Sequence, residues 1–333
     1  MTASSASHSD GPDPRGLNLP APSGRPLRIA CIGECMIELS DLAAADGRVR
    51  MGFAGDTYNT CVYLARLMGA GTGAVEVSYV TALGDDGLSE RMIGAMQAEG
   101  LSSAHVARLP GRLPGLYAIE LEEGGERRFH YWRAQSAARD MFGSGGLSME
   151  ALGDFDVIYL SGITLAILPE PAREDLADAC AAARRRGALT VFDSNYRPAL
   201  WPGADAARAA FERAWRATAL GLPSRDDEAT LHPGETPEDV FARLAAAGVA
   251  EVALKDGPDG PRLHAGGETV DLPRMAPAEH VADTTAAGDS FNAAYLAARL
   301  NGAPAAEAAA AGHRLARHVV SHHGAIVALP EMP

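Results

Sequence analysis

The sequence predicts an α/β protein, a doubly wound and mostly parallel sheet flanked by helices, with a small β-sheet lid. Three observations predict it. Short apolar runs trade places with helix-periodic segments along most of the 333 residues, which puts helices on both faces of a parallel sheet. The first run, Leu27 to Cys31, is short and stopped by Gly33, as a strand buried on both faces requires. One stretch, Leu116 to Arg133, breaks the rhythm with two extended runs and a glycine turn.

The elements follow in order. From Thr57 to Met68 the apolar residues recur at helical spacing, and Gly69 stands where a helix end favours glycine. A helix therefore starts just after Gly55 and Asp56. Val75 to Val80 reads as strand, Leu88 to Glu99 as helix, Val157 to Ser161 as strand, Glu170 to Arg186 as helix and Leu189 to Asp193 as strand. The alternation continues through a helix at Pro237 to Ala247 and a strand at Glu251 to Lys255, and ends in helices over 287–300 and 305–321. The exception is a hairpin: Leu116 to Leu121 and Arg128 to Arg133, joined by Glu122 to Arg127 with Gly124 and Gly125 at the turn. Phe129, Tyr131 and Arg133 share one face of it, His130 and Trp132 the other. Such an insertion makes a natural lid, expected to draw on about residues 34–55 and 112–136 of an α/β domain spanning 27–331. Residues 1–26 are rich in Ser, Pro, Gly and Asp, too poor in apolar side chains to offset the entropy of ordering, and are expected to form a disordered tail.

Composition excludes several function classes. With 43 acidic against 29 basic residues and a net charge of −14, a broad surface for nucleic acid or anionic membrane is not expected, so any anionic ligand must be held locally. Cys31, Cys35, Cys61 and Cys180 lie in or near apolar runs without a paired CxxC spacing, the pattern of buried thiols in a reducing compartment. No apolar stretch reaches membrane-spanning length and the N-terminus lacks a leader pattern. These features imply a cytoplasmic protein.

The chemistry is concentrated in Asp283-Thr284-Thr285-Ala286-Ala287-Gly288-Asp289-Ser290-Phe291, small residues opening into a helix. Small side chains let an anion approach the backbone, where free amides and the positive helix end stabilise phosphate. Asp289 in the first turn is placed to accept the proton of an attacking hydroxyl. The same residues also suit an ordinary helix start, capped by Thr284 or Thr285 with Asp289 complementing the dipole.

This stretch resembles the C-terminal signature of the ribokinase-like (PfkB) carbohydrate kinases. The resemblance implies a ribokinase-like fold, Asp289 as catalytic base, and an anion hole from the amides of Ala286, Ala287 and Gly288. Ala286 stands at the family's usual first glycine and tolerates positive φ poorly. Asp283 and Thr285 match positions that bind a monovalent cation such as K⁺ in some relatives. The turn Gly52-Phe53-Ala54-Gly55-Asp56-Thr57-Tyr58-Asn59-Thr60 is similar to the family's sugar-binding turn, in which Gly55 lets the sugar lie against backbone and Asp56 and Asn59 join its contacts.

Three further pieces, Pro114 to Tyr117, Phe129 to Arg133 with Ser136 to Ala138, and Asp193 to Pro198 with Leu200-Trp201, resemble the 2-keto-3-deoxygluconate kinase subgroup. So does Gly33-Glu34-Cys35-Met36-Ile37-Glu38-Leu39, and the similarity covers about residues 28–331. It implies that Tyr117, Tyr131, Arg133 and Arg197 contact the substrate or the phosphoryl group. Paired hydrogen bonds from two arginines suit a sugar carboxylate. For ATP, the resemblance places Asn195, Lys255, Gly257 and Gly260 along the nucleotide, with Lys255 near its phosphates. Glu228 falls at the end of the family's Asn-x-x-Glu motif, acting on Mg²⁺ through water, with Arg225 at the expected Asn position. The family also implies a homodimer through the lid. A fructokinase, ribokinase or deoxy-inositol acid kinase remains open as an alternative, as does a catalytically silent sugar-binding protein. A dinucleotide dehydrogenase does not fit, because Gly33-Glu34-Cys35 lacks the glycine fingerprint.

Overall fold

The structure is a computed structural model that describes residues 17–21, 24–42, 44, 47–121 and 127–330. In chain order its elements are β1 (Leu27–Ile32), β2 (Met36–Ser40), β3 (Arg50–Ala54), α1 (Asp56–Met68), β4 (Val75–Leu83), α2 (Gly87–Ala98), β5 (Val106–Arg108), β6 (Gly115–Leu121) and β7 (Arg127–Trp132). Then come β8 (Val157–Ser161), α3 (Gly162–Ile167), α4 (Glu170–Arg185), β9 (Leu189–Asp193), α5 (Ala204–Ala217), β10 (Leu220–Gly221), α6 (Arg225–Leu231) and α7 (Pro237–Ala246). The chain closes with β11 (Glu251–Leu254), β12 (Arg262–Ala265), β13 (Glu268–Val270), α8 (Ala287–Leu300) and α9 (Ala305–Val320).

Among the described residues one large sheet holds nine strands in the order β13-β12-β11-β10-β9-β8-β1-β4-β5. From β11 to β5 every pair is parallel, and β12 and β13 finish the edge antiparallel. Side-chain alternation divides each central strand between two cores. Ile29 and Cys31 of β1, with Val157 and Tyr159 of β8, face α1, α8 and α9. Ala30 and Ile32, with Ile158 and Leu160, face α3, α4 and α5. This is why the central strands read as continuous apolar runs. All four cysteines are buried free thiols in these layers.

Strand order reverses about β1, which pairs with β4 on one side and β8 on the other. In open parallel sheets, connections leave in opposite directions at such a point, opening a crevice beyond the carboxyl ends of the strands.

A second sheet of β3-β2-β6-β7 stands apart from the first. Its β6–β7 hairpin is antiparallel with Tyr117 opposite Tyr131, and β2 joins it by parallel pairing with β6. The expected glycine turn of this hairpin falls largely at 122–126, outside the described residues. So do residues 1–16, 22 and 23 of the expected tail. Where that tail is described it is docked: Leu17 and Leu19 pack on the core, and Arg25 makes paired 2.8 Å hydrogen bonds to Asp156.

Candidate active site

A cleft of about 1010 Å³ opens at the crevice, between the large sheet and the small one. It is lined by Gly55, Asp56 and Asn59 at the start of α1, by Tyr117, Tyr131 and Arg133 of the small sheet, and by Asn195, Arg197 and Lys255 after β9 and β11. Asp283, Thr285 and the run Ala286 to Asp289 also line it. Two turns 230 positions apart meet here, since Asn59 Nδ2 donates to Asp289 Oδ2 at 2.8 Å.

Helix α8 starts directly from the cleft lining. No side chain caps it; the N-cap is Ala286, in the left-handed region at φ 61°, ψ 14°. Neither threonine side chain acts as cap; the run Ala286 to Asp289 lines the cleft, and the Ala287 amide donates to the Thr284 carbonyl at 3.3 Å. A Cβ at Gly288 would come no nearer to any atom than an ordinary 3.8 Å, to Lys255, so the protein's own packing does not demand glycine there. Gly55 is different. A Cβ there would lie 2.2 Å from the Glu34 carbonyl oxygen, so backbone crossing between 34 and 55 itself forbids a side chain.

Burial pushes the Asp289 carboxyl well above its usual range, nearby Asp56 adds to the effect, and the Asn59 hydrogen bond opposes it. Asp56 is also raised by burial; Ser161 Oγ and Asn195 Nδ2 donate to its Oδ2. Asn195 Oδ1 is buried and unpartnered. Both oxygens of Asp283 already accept backbone amides, from Thr285 at 2.9 Å and Gly324 at 2.8 Å.

On the small-sheet side, the Tyr117 and Tyr131 rings lie 5.8 Å apart and the Arg133 guanidinium stands 6.0 Å from the Tyr131 centroid. Tyr117 donates to Glu38. Arg133 forms a buried ion pair with Glu34, without the angular alignment of a hydrogen bond. Arg197 is half exposed and lies 3.4 Å from Asp227.

Five further residues singled out by sequence are held by the protein's own contacts or turns. Lys255 lines the cleft, but its three N–H bonds go to Asp193 Oδ1, the Leu222 carbonyl and Asn292 Oδ1 at 2.8, 2.7 and 3.0 Å. Gly257 and Gly260 do not line the cleft; their φ of 54° and 86° serve the turn between β11 and β12. Glu228 points away, buried against Arg243 at 2.6 Å, with its carboxyl pushed up to about 7 by burial. Arg225 turns to Asp256 at 3.6 Å. Instead Ser224, Asp226 and Asp227 line the cleft, one residue earlier than the motif was read. One residue turns a helix by about 100°, enough to exchange the cleft face for the core face. The spacing Ser224-x-x-Asp227, directly after Pro223, was the available signal.

The geometry has known counterparts. The family model for pfkB family carbohydrate kinases matches residues 27–332. The chain belongs to that family. This sugar kinase is 44% identical over 310 residues to the 2-dehydro-3-deoxygluconokinase of Escherichia coli (strain K12), covering 92% of this chain and 99% of the relative. The solved 2-dehydro-3-deoxygluconokinase of Thermotoga maritima superposes with a TM-score of 0.78 at 20% identity, covering 91% of this kinase and 95% of that chain. A protein of Escherichia coli solved in complex with ATP and Mg²⁺ superposes with a TM-score of 0.75 at 21% identity, covering 90% and 94%. These neighbours share the kinase's ribokinase-like fold, and kinases of this family use ATP. Among the described residues no helix is long and apolar enough to cross a membrane.

Proposed function

We propose that this kinase phosphorylates 2-keto-3-deoxy-D-gluconate, in the cytoplasm, on its 6-hydroxyl with ATP. The observation that carries the reading is the Asn59–Asp289 hydrogen bond. It brings the sugar-binding turn to the carboxylate that opens α8 in one cleft. The small sheet closes as a lid over the sugar. Asp289 accepts the proton of the primary hydroxyl as that oxygen attacks the γ-phosphorus in line. The amides of Ala286 to Asp289 stabilise charge gathering on the equatorial oxygens, and Arg197, half exposed beside Asp227, joins them. Arg133, held over Tyr131, receives the sugar carboxylate, and the Tyr117 and Tyr131 rings flank the sugar.

Asp227 and Asp226 supply the carboxylate oxygens a hard divalent cation prefers and would hold Mg²⁺, directly or through water. Bound there, Mg²⁺ neutralises phosphate charge. A K⁺ site at Asp283 and Thr285 is carried by resemblance, and no step depends on it. The outer face of the hairpin, with Trp132 62% exposed, pairs two copies.

The test is a coupled ADP-release assay over acidic and neutral sugars. For 2-keto-3-deoxygluconate, kcat/KM should exceed that for fructose or ribose by about 10²-fold or more, because a neutral sugar offers Arg133 and Arg197 no charged acceptor. Equal or better use of a neutral sugar would overturn the substrate assignment.

A further inference from the structure

Lys255 follows β11, Asp193 ends β9 and Leu222 follows β10, so one ammonium joins the carboxyl ends of three adjacent strands. An ammonium has three donors, and all three are taken by protein acceptors within 3.0 Å. The Lys255 side chain is 11% exposed and that of Asp193 4%, so the pair is largely desolvated and neither charge is available at low cost to another partner.

The third acceptor lies on the helix that carries Asp289. Asn292 is three residues further along, on the same face of α8. Its Nδ2 donates to Asp193 Oδ2 at 2.8 Å and to the Tyr159 hydroxyl at 3.0 Å, while its Oδ1 receives Lys255. From Tyr159 the chain runs on: Thr60 Oγ1 is 3.2 Å from that hydroxyl and 3.2 Å from the Asp289 carbonyl oxygen. Both sides of the first turns of α8 are thus bonded to groups fixed by the sheet and by α1.

We propose that Lys255, with Asp193 and Asn292, is a positioning residue that sets the rotation of α8, and so the aim of Asp289 and the anion-hole amides, rather than a ligand of the nucleotide's phosphates. The inference rests on the phosphoryl-transfer reading above. A compact ammonium meets three divergent acceptors where a planar guanidinium could not, and a small rotation of α8 displaces base and amides together.

The test separates kcat from nucleotide affinity. Lys255→Met should lower kcat about tenfold to a hundredfold, the loss expected of an ångström-scale misplacement, with KM for ATP within about twofold of the parent. Because Lys255→Met strands Asp193 as a buried charge, the double variant with Asp193→Asn should recover stability and part of kcat. A large rise in KM for ATP, not relieved by Asp193→Asn, would mean that Lys255 holds phosphate and would overturn the proposal. If Lys255→Met does not fold, Asn292→Ala keeps the Lys255–Asp193 pair and cuts its link to α8, together with the Asn292–Tyr159 bond. It should lose kcat at unchanged KM for ATP, and unchanged kcat would overturn the proposal. If the parent phosphorylates no sugar, the functional reading fails by itself. Calorimetric affinity for a non-hydrolysable ATP analogue and hydrogen exchange along α8 still decide the Lys255 question. Faster exchange in α8 at retained affinity supports positioning; lost affinity with unchanged exchange refutes it.

Discussion

On the α8 wall of the cleft each central carboxylate has fixed donors, Asp193 from Lys255 and Asn292, Asp289 from Asn59, and Asp56 from Ser161 and Asn195. On the small-sheet wall, Tyr131 is 54% exposed and Phe129 37%. In the proposed function the two walls face different tasks. Charge developing on a transferring phosphoryl group is stabilised best by dipoles and acids already in place, because nothing then reorganises during reaction. A sugar must enter and leave, and the wall that receives it gains from a loosely packed aromatic face that a bound ligand then covers. The cost on the rigid side is electrostatic: Asp289, Asp56 and Asp227 are all pushed upward by burial, which opposes the anionic form that the proposed base needs.

The largest test of this contrast is Asp289→Asn. If the α8 wall does the chemistry, kcat should fall about 10²- to 10⁴-fold, the usual worth of a general base, with sugar KM little changed, as steady-state ADP release would record. Near-normal turnover would remove the division of labour altogether. Next comes Arg133→Ala on the other wall. It should lower kcat/KM for the acidic sugar about tenfold to a hundredfold relative to a neutral one, as loss of hydrogen bonds to a charged group implies. The ratio matters because the variant also strands buried Glu34 and yields less folded enzyme, which affects both sugars alike. An unchanged ratio would move carboxylate recognition elsewhere.

Much of this was legible in sequence wherever one signal dominates. Parallel strands buried on both faces are apolar runs, so 157–161 and 189–193 were readable to the residue. The helix over 287–300 announced itself by small residues followed by periodic apolar ones. The strands β2 and β3 of the small sheet were harder, because half-exposed Glu38 and Ser40 and exposed Arg50 dilute the alternation. The site was legible as residue types and not as pairings. Nothing in the spacing of Lys255 shows that Asp193 and Asn292 consume its donors, since those bonds span 62 and 37 positions. The Ser224 to Glu228 stretch fails differently. Adjacent acids at 226, 227 and 228 are interchangeable by composition, and only helix rotation decides which of them meets the cleft.

Glu228 belongs to neither wall, which makes it a way to subtract background from the comparison. Its carboxyl lies at about 7 in the folded chain against an ordinary 4.5, through burial opposed by Arg243. A raised acid binds its proton more tightly when folded, so stability present below about 4.5 is lost as pH rises through about 7 and then levels. Glu228→Gln has no proton to lose. It should flatten that decline by up to about 1.4 kcal/mol per pH unit, measured by urea unfolding across the window. The slope that remains includes the raised carboxyls of Asp289, Asp56 and Asp227, opposed by His105 and His232, which burial holds below the usual histidine range. An undiminished slope would show that Glu228 is not a source of it.

The smallest expected effect lies where the walls touch. Ala286 packs against the cluster of Met36, Ala54, Tyr117 and Ala325, so its methyl bridges the α8 turn and the small sheet at the cost of a left-handed φ of 61°. That conformation costs an L-residue about 1–2 kcal/mol. Ala286→Gly removes the strain, but it loses a methyl contact of about 0.8 kcal/mol and adds about 0.4–1 kcal/mol of unfolded-chain entropy. The sum is near zero, so thermal unfolding should move by no more than a few degrees in either direction. Because the amide at 286 is kept, kcat should stay within about twofold if the turn acts through its backbone. A tenfold loss with unchanged unfolding would mean instead that the methyl itself holds the two walls in register, and that their separation is a matter of packing as much as of charge.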